Sequence, residues 1–335
     1  MSGFTITAGV SFSGGFTMTD APAVQENTAA WFGGGTAPGF VSTVDRITFA
    51  TDTATASVRG PLSEARRNFA AAGNLTDGWF GGGKLGAPSY APTSTVDRIT
   101  YATDTATASV RGPLSSVRYG VAAAGNTDSA WFGGGYNDSA QPYNKSTVDR
   151  ITYATDTATA SVRGTLSYPA GTSLSATAGN ETDGWFGGGN AGGVPNLSAV
   201  ERITYATDTA TASIRGPLSV GRRTNLGATG NTTNAWFGGG NGIPSGPSRT
   251  SIVDRITFAT DTATASVRGP LSSASAYMAA AGNSTDGWWA GGRRGDPSET
   301  STVERITYAT DTAATSTRGP LSLARNNLAA AGGLQ

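Results

Sequence analysis

Residues 44–63 read VDRITFATDTATASVRGPLS, and this segment recurs five times with few changes. The later copies begin at Val96, Val148, Val200, Val253 and Val303, at spacings of 52, 52, 52, 53 and 50 residues. Self-similarity at a fixed period of this size is the signature of a repeat architecture. The chain of 335 residues therefore contains six copies of a unit of about 52 residues.

Two further blocks recur in step with this segment. The block WFGGG, or WWAGG in the last copy, begins at Trp31, Trp79, Trp131, Trp185, Trp236 and Trp288. A run of small residues such as AAAGN precedes five of these tryptophans, and it returns as AAAGG at residues 329–333. The first WFGGG has only a poor copy of this run before it, whereas the end of the chain carries a spare one.

Each unit holds four short extended segments, typified by AAAGN, GWFGGG, TVDRITYA and TATASVRG, which we call its first to fourth strands. Four short strands in about 50 residues form one blade of a β-propeller. A β-solenoid is the alternative, but solenoids need capping repeats. The spare run can complete the first blade, which predicts closure. We predict an all-β fold, with a six-bladed β-propeller over residues 29–335 closed by the C-terminal strand, and a short β extension over residues 1–28.

The composition disfavours several classes of function. Lys+Arg 23 against Asp+Glu 23 gives no basic excess, which disfavours nucleic acid as a partner. With His 0 and Cys 0, the chain offers no imidazole or thiolate, and we predict no cofactor and no metal. The N-terminus resembles no signal peptide, and no apolar run is long enough to span a bilayer. We therefore expect synthesis in the cytoplasm and no membrane insertion.

The units resemble kelch repeats. The residues that carry the resemblance are Arg66, Ala70–Ala72, Trp79, Gly81, Gly82, Asp97 and Tyr101, and it extends over about residues 29–333. A kelch repeat usually has a tryptophan in its fourth strand, where this chain has small residues around Val110. The resemblance therefore implies a propeller whose blades pack through second-strand aromatics instead.

A narrower resemblance concerns residues 94–115, STVDRITYATDTATASVRGPLS, together with GWFGGG. This sequence is similar to repeats in virion-associated structural proteins of tailed viruses of marine cyanobacteria. It implies a non-catalytic virion protein made in the host cytoplasm, either tail-associated, as in a tail fibre, or exposed for host attachment.

The six copies differ on one predicted face only. The first–second and third–fourth turns are nearly constant and form the uniform face, and ATDTA is identical in every unit. The second–third loops (36–42, 84–94, 136–146, 190–198, 241–251 and 293–301) and the fourth–first loops, with Arg66 and Arg118, vary and form the variable face. Neutral drift of exposed loops is one explanation. Binding is the other, and its candidate residues are Tyr90, Tyr119, Tyr136, Tyr143, Lys145, Arg293 and Arg294.

Other recurring residues point to structure. Six tryptophans at one position of the repeat predict packing between blades. The recurring Asp and Arg of each unit predict ion pairs around the ring, and the GGG runs predict close approach or positive φ.

The N-terminal extension contains a strand signal. Phe4, Ile6, Val10 and Phe12 alternate with small or polar residues, and a lone strand needs a partner. It either packs on the propeller or adds to a neighbouring protein. We predict that residues 1–28 bind other virion proteins, and that the variable loops bind a host surface glycan or receptor.

Two alternatives stay open. The first is a carbohydrate-binding or adaptor propeller that is not part of a virion. The second is a glycan hydrolase using an acidic residue unique to one blade, such as Glu64 or Glu299, although the Asp-box repeat of sialidases is absent. We expect no enzymatic activity.

Overall fold

The computed structural model describes residues 26–139, 141–168, 172–173, 175–191, 197–223, 226–242, 249–295 and 299–332. Within them, six antiparallel four-stranded sheets form a closed ring. The predicted all-β, six-bladed propeller is confirmed, and it is consistent with the kelch-like resemblance. No helix in the described part of the chain is long and apolar enough to cross a bilayer.

Every blade, numbered 1 to 6 by its second strand, has the same strand order. The first strands are, for blades 2 to 6 and then 1, Ala70–Gly73, Ala122–Gly125, Ala176–Gly179, Gly227–Gly230, Ala279–Gly282 and Ala329–Ala331. The second strands are Ala29–Gly33, Asp77–Gly81, Ser129–Gly133, Asp183–Gly187, Asn234–Gly238 and Asp286–Ala290. The third strands are Val44–Thr48, Val96–Thr100, Thr147–Thr152, Val200–Thr204, Val253–Thr257 and Val303–Thr307. The fourth strands are Ser57–Arg59, Ser109–Arg111, Ser161–Thr165, Ser213–Arg215, Ser266–Arg268 and Ser316–Arg318.

A 3₁₀ turn follows each third strand. These turns are Phe49–Thr51, Tyr101–Thr103, Tyr153–Thr155, Tyr205–Thr207, Phe258–Thr260 and Tyr308–Thr310. Three pairs of two-residue strands lie on the variable face: Arg66–Arg67 with Lys84–Leu85, Thr172–Ser173 with Asn190–Ala191, and Arg222–Arg223 with Asn241–Gly242.

The C-terminal strand closes the ring as predicted. In blade 1, Trp31 pairs with Ala331 and Gly33 pairs with Ala329, so the end of the chain completes the sheet that its beginning starts. Each first strand contacts the first strands of both neighbouring blades. The alanines and glycines of these strands suit that position because they let six backbones approach one axis.

Each blade is joined to the next through one carboxylate, which we call the turn aspartate because it follows the 3₁₀ turn. The turn aspartates are Asp52, Asp104, Asp156, Asp208, Asp261 and Asp311, and all are buried. The indole of the preceding blade donates to this carboxylate at 2.8–2.9 Å. A third-strand arginine donates at 3.0–3.1 Å. A fourth-strand arginine forms an ion pair at 3.3–3.5 Å.

The same tryptophans also stack across the blade interfaces. Each indole, 1–5% exposed, lies on the aromatic ring that begins the next blade's 3₁₀ turn, with centroids 3.8–4.1 Å apart and planes within 6–9°. Aromatic pairs contribute about 0.5–1.5 kcal/mol beyond the area that they bury. Trp288 of blade 6 stacks on Phe49 and donates to Asp52 of blade 1, so the closing interface repeats the others.

Two glycine positions are required by this packing. Gly112 directly follows the fourth strand of blade 2, and its N–H donates to the backbone oxygen of Asp156 in blade 3 at 2.8 Å. A Cβ there would lie 1.9 Å from the oxygen of Ala158. Gly82, in a GGG run, has φ +71°, a conformation that favours glycine.

We expect Asp156→Asn to lower the free energy of unfolding by about 2–3 kcal/mol, because two partly buried guanidinium groups lose their counter-ion. Urea unfolding of the variant beside the parent protein measures this. Asp128→Asn, at an exposed turn position of blade 3, serves as the control and should change the midpoint little. Equal effects of the two substitutions would contradict the role given to the turn aspartate.

We expect Gly112→Ala to destabilise the protein by about 3 kcal/mol or more, because the added methyl group overlaps a backbone carbonyl that cannot rotate away. Gly39→Ala is the matched control, since no atom lies within 4 Å of a Cβ at that position. Thermal unfolding of both variants tests this. If Gly112→Ala melted with Gly39→Ala, the blades would not interlock as described.

Candidate functional site

The loops of the variable face are anchored to one another in all six blades. The second–third loop pairs with the fourth–first loop of the same blade through a short antiparallel ladder or bridge. In blade 2, for example, Arg66 pairs with Leu85 and Arg67 pairs with Lys84. The backbone beneath the side chains of these loops is therefore held in place by hydrogen bonds between the two loops.

Three of the predicted binding residues meet on blade 3. Tyr119 lies on the fourth–first loop, and Tyr136 and Tyr143 lie on the second–third loop. The rings of Tyr119 and Tyr136 are 5.4 Å apart, and those of Tyr136 and Tyr143 are 5.8 Å apart. Tyr143 is the most open of the three, at 43% exposed. We call these residues the tyrosine cluster.

A charged pair borders the tyrosine cluster. Lys84 of blade 2 places its ammonium group 4.9 Å from the centre of the Tyr119 ring and 2.7 Å from a carboxylate oxygen of Asp138. Partial burial, together with Asp138 and Tyr136, raises the pKa of Tyr119 to about 12. The Tyr119 hydroxyl is therefore neutral near pH 7 and can both donate and accept a hydrogen bond.

Tyr90, the fourth tyrosine predicted to bind a ligand, forms an aromatic pair beside the tyrosine cluster. Tyr90, 55% exposed, packs edge-to-face on Phe40 of blade 1 with centroids 6.0 Å apart. The guanidinium of Arg67 lies 4.6 Å from the Phe40 ring. Because Arg67 and Lys84 are partners in one ladder, the pair and the tyrosine cluster form a continuous surface. We call it the aromatic strip; its members are Phe40, Arg67, Lys84, Tyr90, Tyr119, Tyr136 and Tyr143.

The remaining predicted binding residues are Lys145, Arg293 and Arg294. Lys145 is half-buried, and its backbone N–H donates to Gly135. Arg293 of blade 6 is half-buried and pairs through its backbone with Ala276 and Glu299. The guanidinium of Arg294 is bound to the buried carboxylate of Glu304. Arg294 therefore has a structural contact that its place in a variable loop does not reveal.

Four arginines on the fourth–first loops are buried. Their common position was not recognised from the sequence because the residues around them differ between the blades. Arg66, Arg118, Arg222 and Arg325 are all 0% exposed, so Arg66 and Arg118 do not belong to the exposed variable surface. Each contacts a buried aspartate of its own blade: Asp97, Asp149, Asp254 and Asp45, respectively. Burial lowers the pKa of Arg118, and Asp149 opposes that shift. A sequence signal exists, because each of these arginines stands four residues after the leucine of the Leu-Ser pair.

A cavity of about 110 Å³ lies on the axis of the ring, between the first strands. The described residues that line it are mainly alanine and glycine, and none is charged. No three acidic side chains in the described part of the chain form a group that could hold a metal ion. The axis therefore offers no electrostatic feature that would select an ionic ligand.

The predicted partner-binding strand, with Phe4, Ile6, Val10 and Phe12, lies outside the described residues. The chain is described from Glu26, whose carboxylate accepts a hydrogen bond from the N–H of Ser284 in blade 6. The side chain of Asn27 donates to the backbone oxygen of Asn74 in blade 2. The start of the described chain is thus held to both blades that flank blade 1.

No protein-family model matches this chain, and no curated protein matches it in sequence. A function for this protein is therefore inferred from the side chains of its variable face.

Proposed function

We propose that this protein is a non-catalytic structural component of a virus particle that uses its variable face for adhesion or protein docking. The propeller fold is compatible with adhesion or docking. The observation that carries the proposal is the aromatic strip, which joins the variable loops of blades 1, 2 and 3.

The strip has the chemistry of a recognition surface. Its tyrosines and Phe40 offer flat apolar area, and Lys84 and Asp138 offer a polar border. Aromatic residues dominate binding energies at interfaces because they bury large area at low cost in side-chain entropy. The ladders beneath the loops lower the cost further, since the backbone is ordered before a partner binds.

Only the sequence of the repeat supports a location in the virus particle, because it resembles repeats of virion-associated proteins of tailed viruses. Residues 1–28 would bind other virion proteins, and the variable face would then contact a host surface glycan or receptor. This arrangement places adhesion opposite the uniform face, whose turns hold the blades together.

The composition supports a non-catalytic role. The chain lacks histidine and cysteine, which removes the usual bases and nucleophiles of those types. Glu64 and Glu299, the acidic residues considered for a hydrolase, lie on loops of the variable face, where Glu64 accepts a hydrogen bond from Thr95 and Glu299 accepts one from Asn326.

A carbohydrate-binding propeller outside a virion is the second candidate, and the exposed Tyr143 beside Tyr136 favours it. The same strip would then bind a sugar through the tyrosine ring faces and the Lys84–Asp138 pair. The two candidates differ in location, so they are separated by asking where the protein is found.

We expect mass spectrometry of purified particles from an infected culture to detect this protein, and labelled protein to bind host cells. Tyr136→Ala and Tyr143→Ala should each weaken binding about tenfold or more, because Tyr136 is the central ring of the tyrosine cluster and Tyr143 is its most exposed ring. Leu75→Ala, at a 39% exposed position on the uniform face, is the control and should bind normally.

Absence of the protein from particles would contradict the virion proposal, and saturable binding on a glycan array would then favour the second candidate. Unchanged binding by both tyrosine variants would contradict the role of the strip.

A further inference from the structure

A buried carboxylate occupies the same place in the third strand of every blade. These residues are Asp45, Asp97, Asp149, Glu201, Asp254 and Glu304, and all are 0–3% exposed. Each accepts a hydrogen bond from the backbone N–H of the serine in the Leu-Ser pair; for Glu201 this is Ser167, at 2.9 Å. Burying a carboxylate is costly unless a cation compensates it.

Four blades supply that cation from their own fourth–first loop, and blade 5 shows the full set of contacts. Arg222 donates to the backbone oxygens of Phe237, Gly239 and Ile252 at 3.0–3.3 Å. Its other terminal nitrogen contacts the carboxylate of Asp254. Three carbonyls and one carboxylate thus surround a guanidinium.

Blade 6 lacks this arginine, and an arginine from a different loop takes its place. Ser275 stands at the arginine position, four residues after Leu271, and the carboxylate is glutamate instead of aspartate. Arg294, from the second–third loop, brings its guanidinium to Glu304. A glutamate at this position therefore accepts a guanidinium that arrives from the side of the variable face.

Blade 4 has the glutamate without either arginine. Ala170 stands four residues after Leu166, and residues 190–198 contain no arginine or lysine. The counterparts of the blade 5 groups, Phe186, Gly188, Ala199 and Glu201, line one gap together. Among the residues that the structure describes, no cationic side chain forms an ion pair with Glu201.

We propose that blade 4 binds the guanidinium group of an arginine side chain from another polypeptide, with Glu201 as its counter-ion. The carbonyls of Phe186, Gly188 and Ala199 complete the site, as their equivalents do around Arg222. This inference is independent of the aromatic strip and of the particle location.

The surroundings of Glu201 support this assignment. Burial raises the pKa of Glu201, and its hydrogen bonds with Ser167 and Tyr168 only partly oppose the shift. An arriving guanidinium stabilises the ionised carboxylate and removes that cost. The gap is too tight for a water molecule as it stands, so the residues that line it must shift as the ligand enters.

The test titrates the whole protein with methylguanidinium chloride at constant ionic strength and low millimolar concentration, and follows thermal unfolding. We expect a saturable rise of the unfolding temperature, on the order of 2 °C at about ten times the dissociation constant. N-acetyl-arginine methylamide, which presents the group as a protein does, should give the same rise. Potassium chloride and tetramethylammonium chloride should give none.

Three variants control the test. Glu201→Gln should abolish the response. Ala170→Arg, which restores the arginine of the other blades, should raise the unfolding temperature by itself and also abolish the response. Arg222→Ala, where it folds, opens a second site beside Asp254 and should gain a larger response.

Absence of a saturable rise with the parent protein would overturn the proposal. An equal rise in Glu201→Gln or Ala170→Arg would place binding elsewhere. A response to methylguanidinium without one to the blocked arginine would exclude a polypeptide arginine as the ligand.

Discussion

The turn aspartate is the contact on which the ring depends. One buried oxygen receives an indole N–H and two guanidinium groups from the preceding blade, and the same indole stacks on the aromatic ring three residues before that aspartate. Because one carboxylate compensates two cations, any change to it leaves charges unmatched across an interface. This requirement explains why the aspartate of ATDTA does not vary among the six units.

Concentrating the blade contacts near the uniform face leaves the other face free to vary. The second–third and fourth–first loops need to preserve only their short ladder and, beneath it, a buried acid, which among the described residues pairs with a guanidinium group in five of the six blades. Insertions and aromatic residues can accumulate above that level without loss of the ring. The aromatic strip of blades 1 to 3 and Glu201 of blade 4, for which the described part of the chain supplies no cation, are two different products of this freedom.

Much of the fold could be predicted from the sequence because the repeat is nearly exact and the spare AAAGG at residues 329–333 indicated closure. The site could be predicted less well. Tyr119, Tyr136 and Tyr143 were identifiable as candidates, but their meeting depends on a ladder between loops of different lengths, and the contribution of Phe40 depends on a neighbouring blade. Arg66 and Arg118 seemed part of the variation because the residues beside them change. Their fixed distance from Leu-Ser, and the change from VDR to VER in the two units without this arginine, were the available signals.

The most direct test of the closed ring is a double-mutant cycle at the seam, using Trp288→Phe and Asp52→Ala and urea unfolding of the four proteins. The two residues are 236 positions apart in the chain and touch only if blade 6 meets blade 1. The closed ring predicts a coupling energy of about 1–2 kcal/mol, equal within error to that of the internal pair Trp79 and Asp156. A coupling energy of zero at the seam, beside a normal value for the internal pair, would contradict closure and indicate an open array.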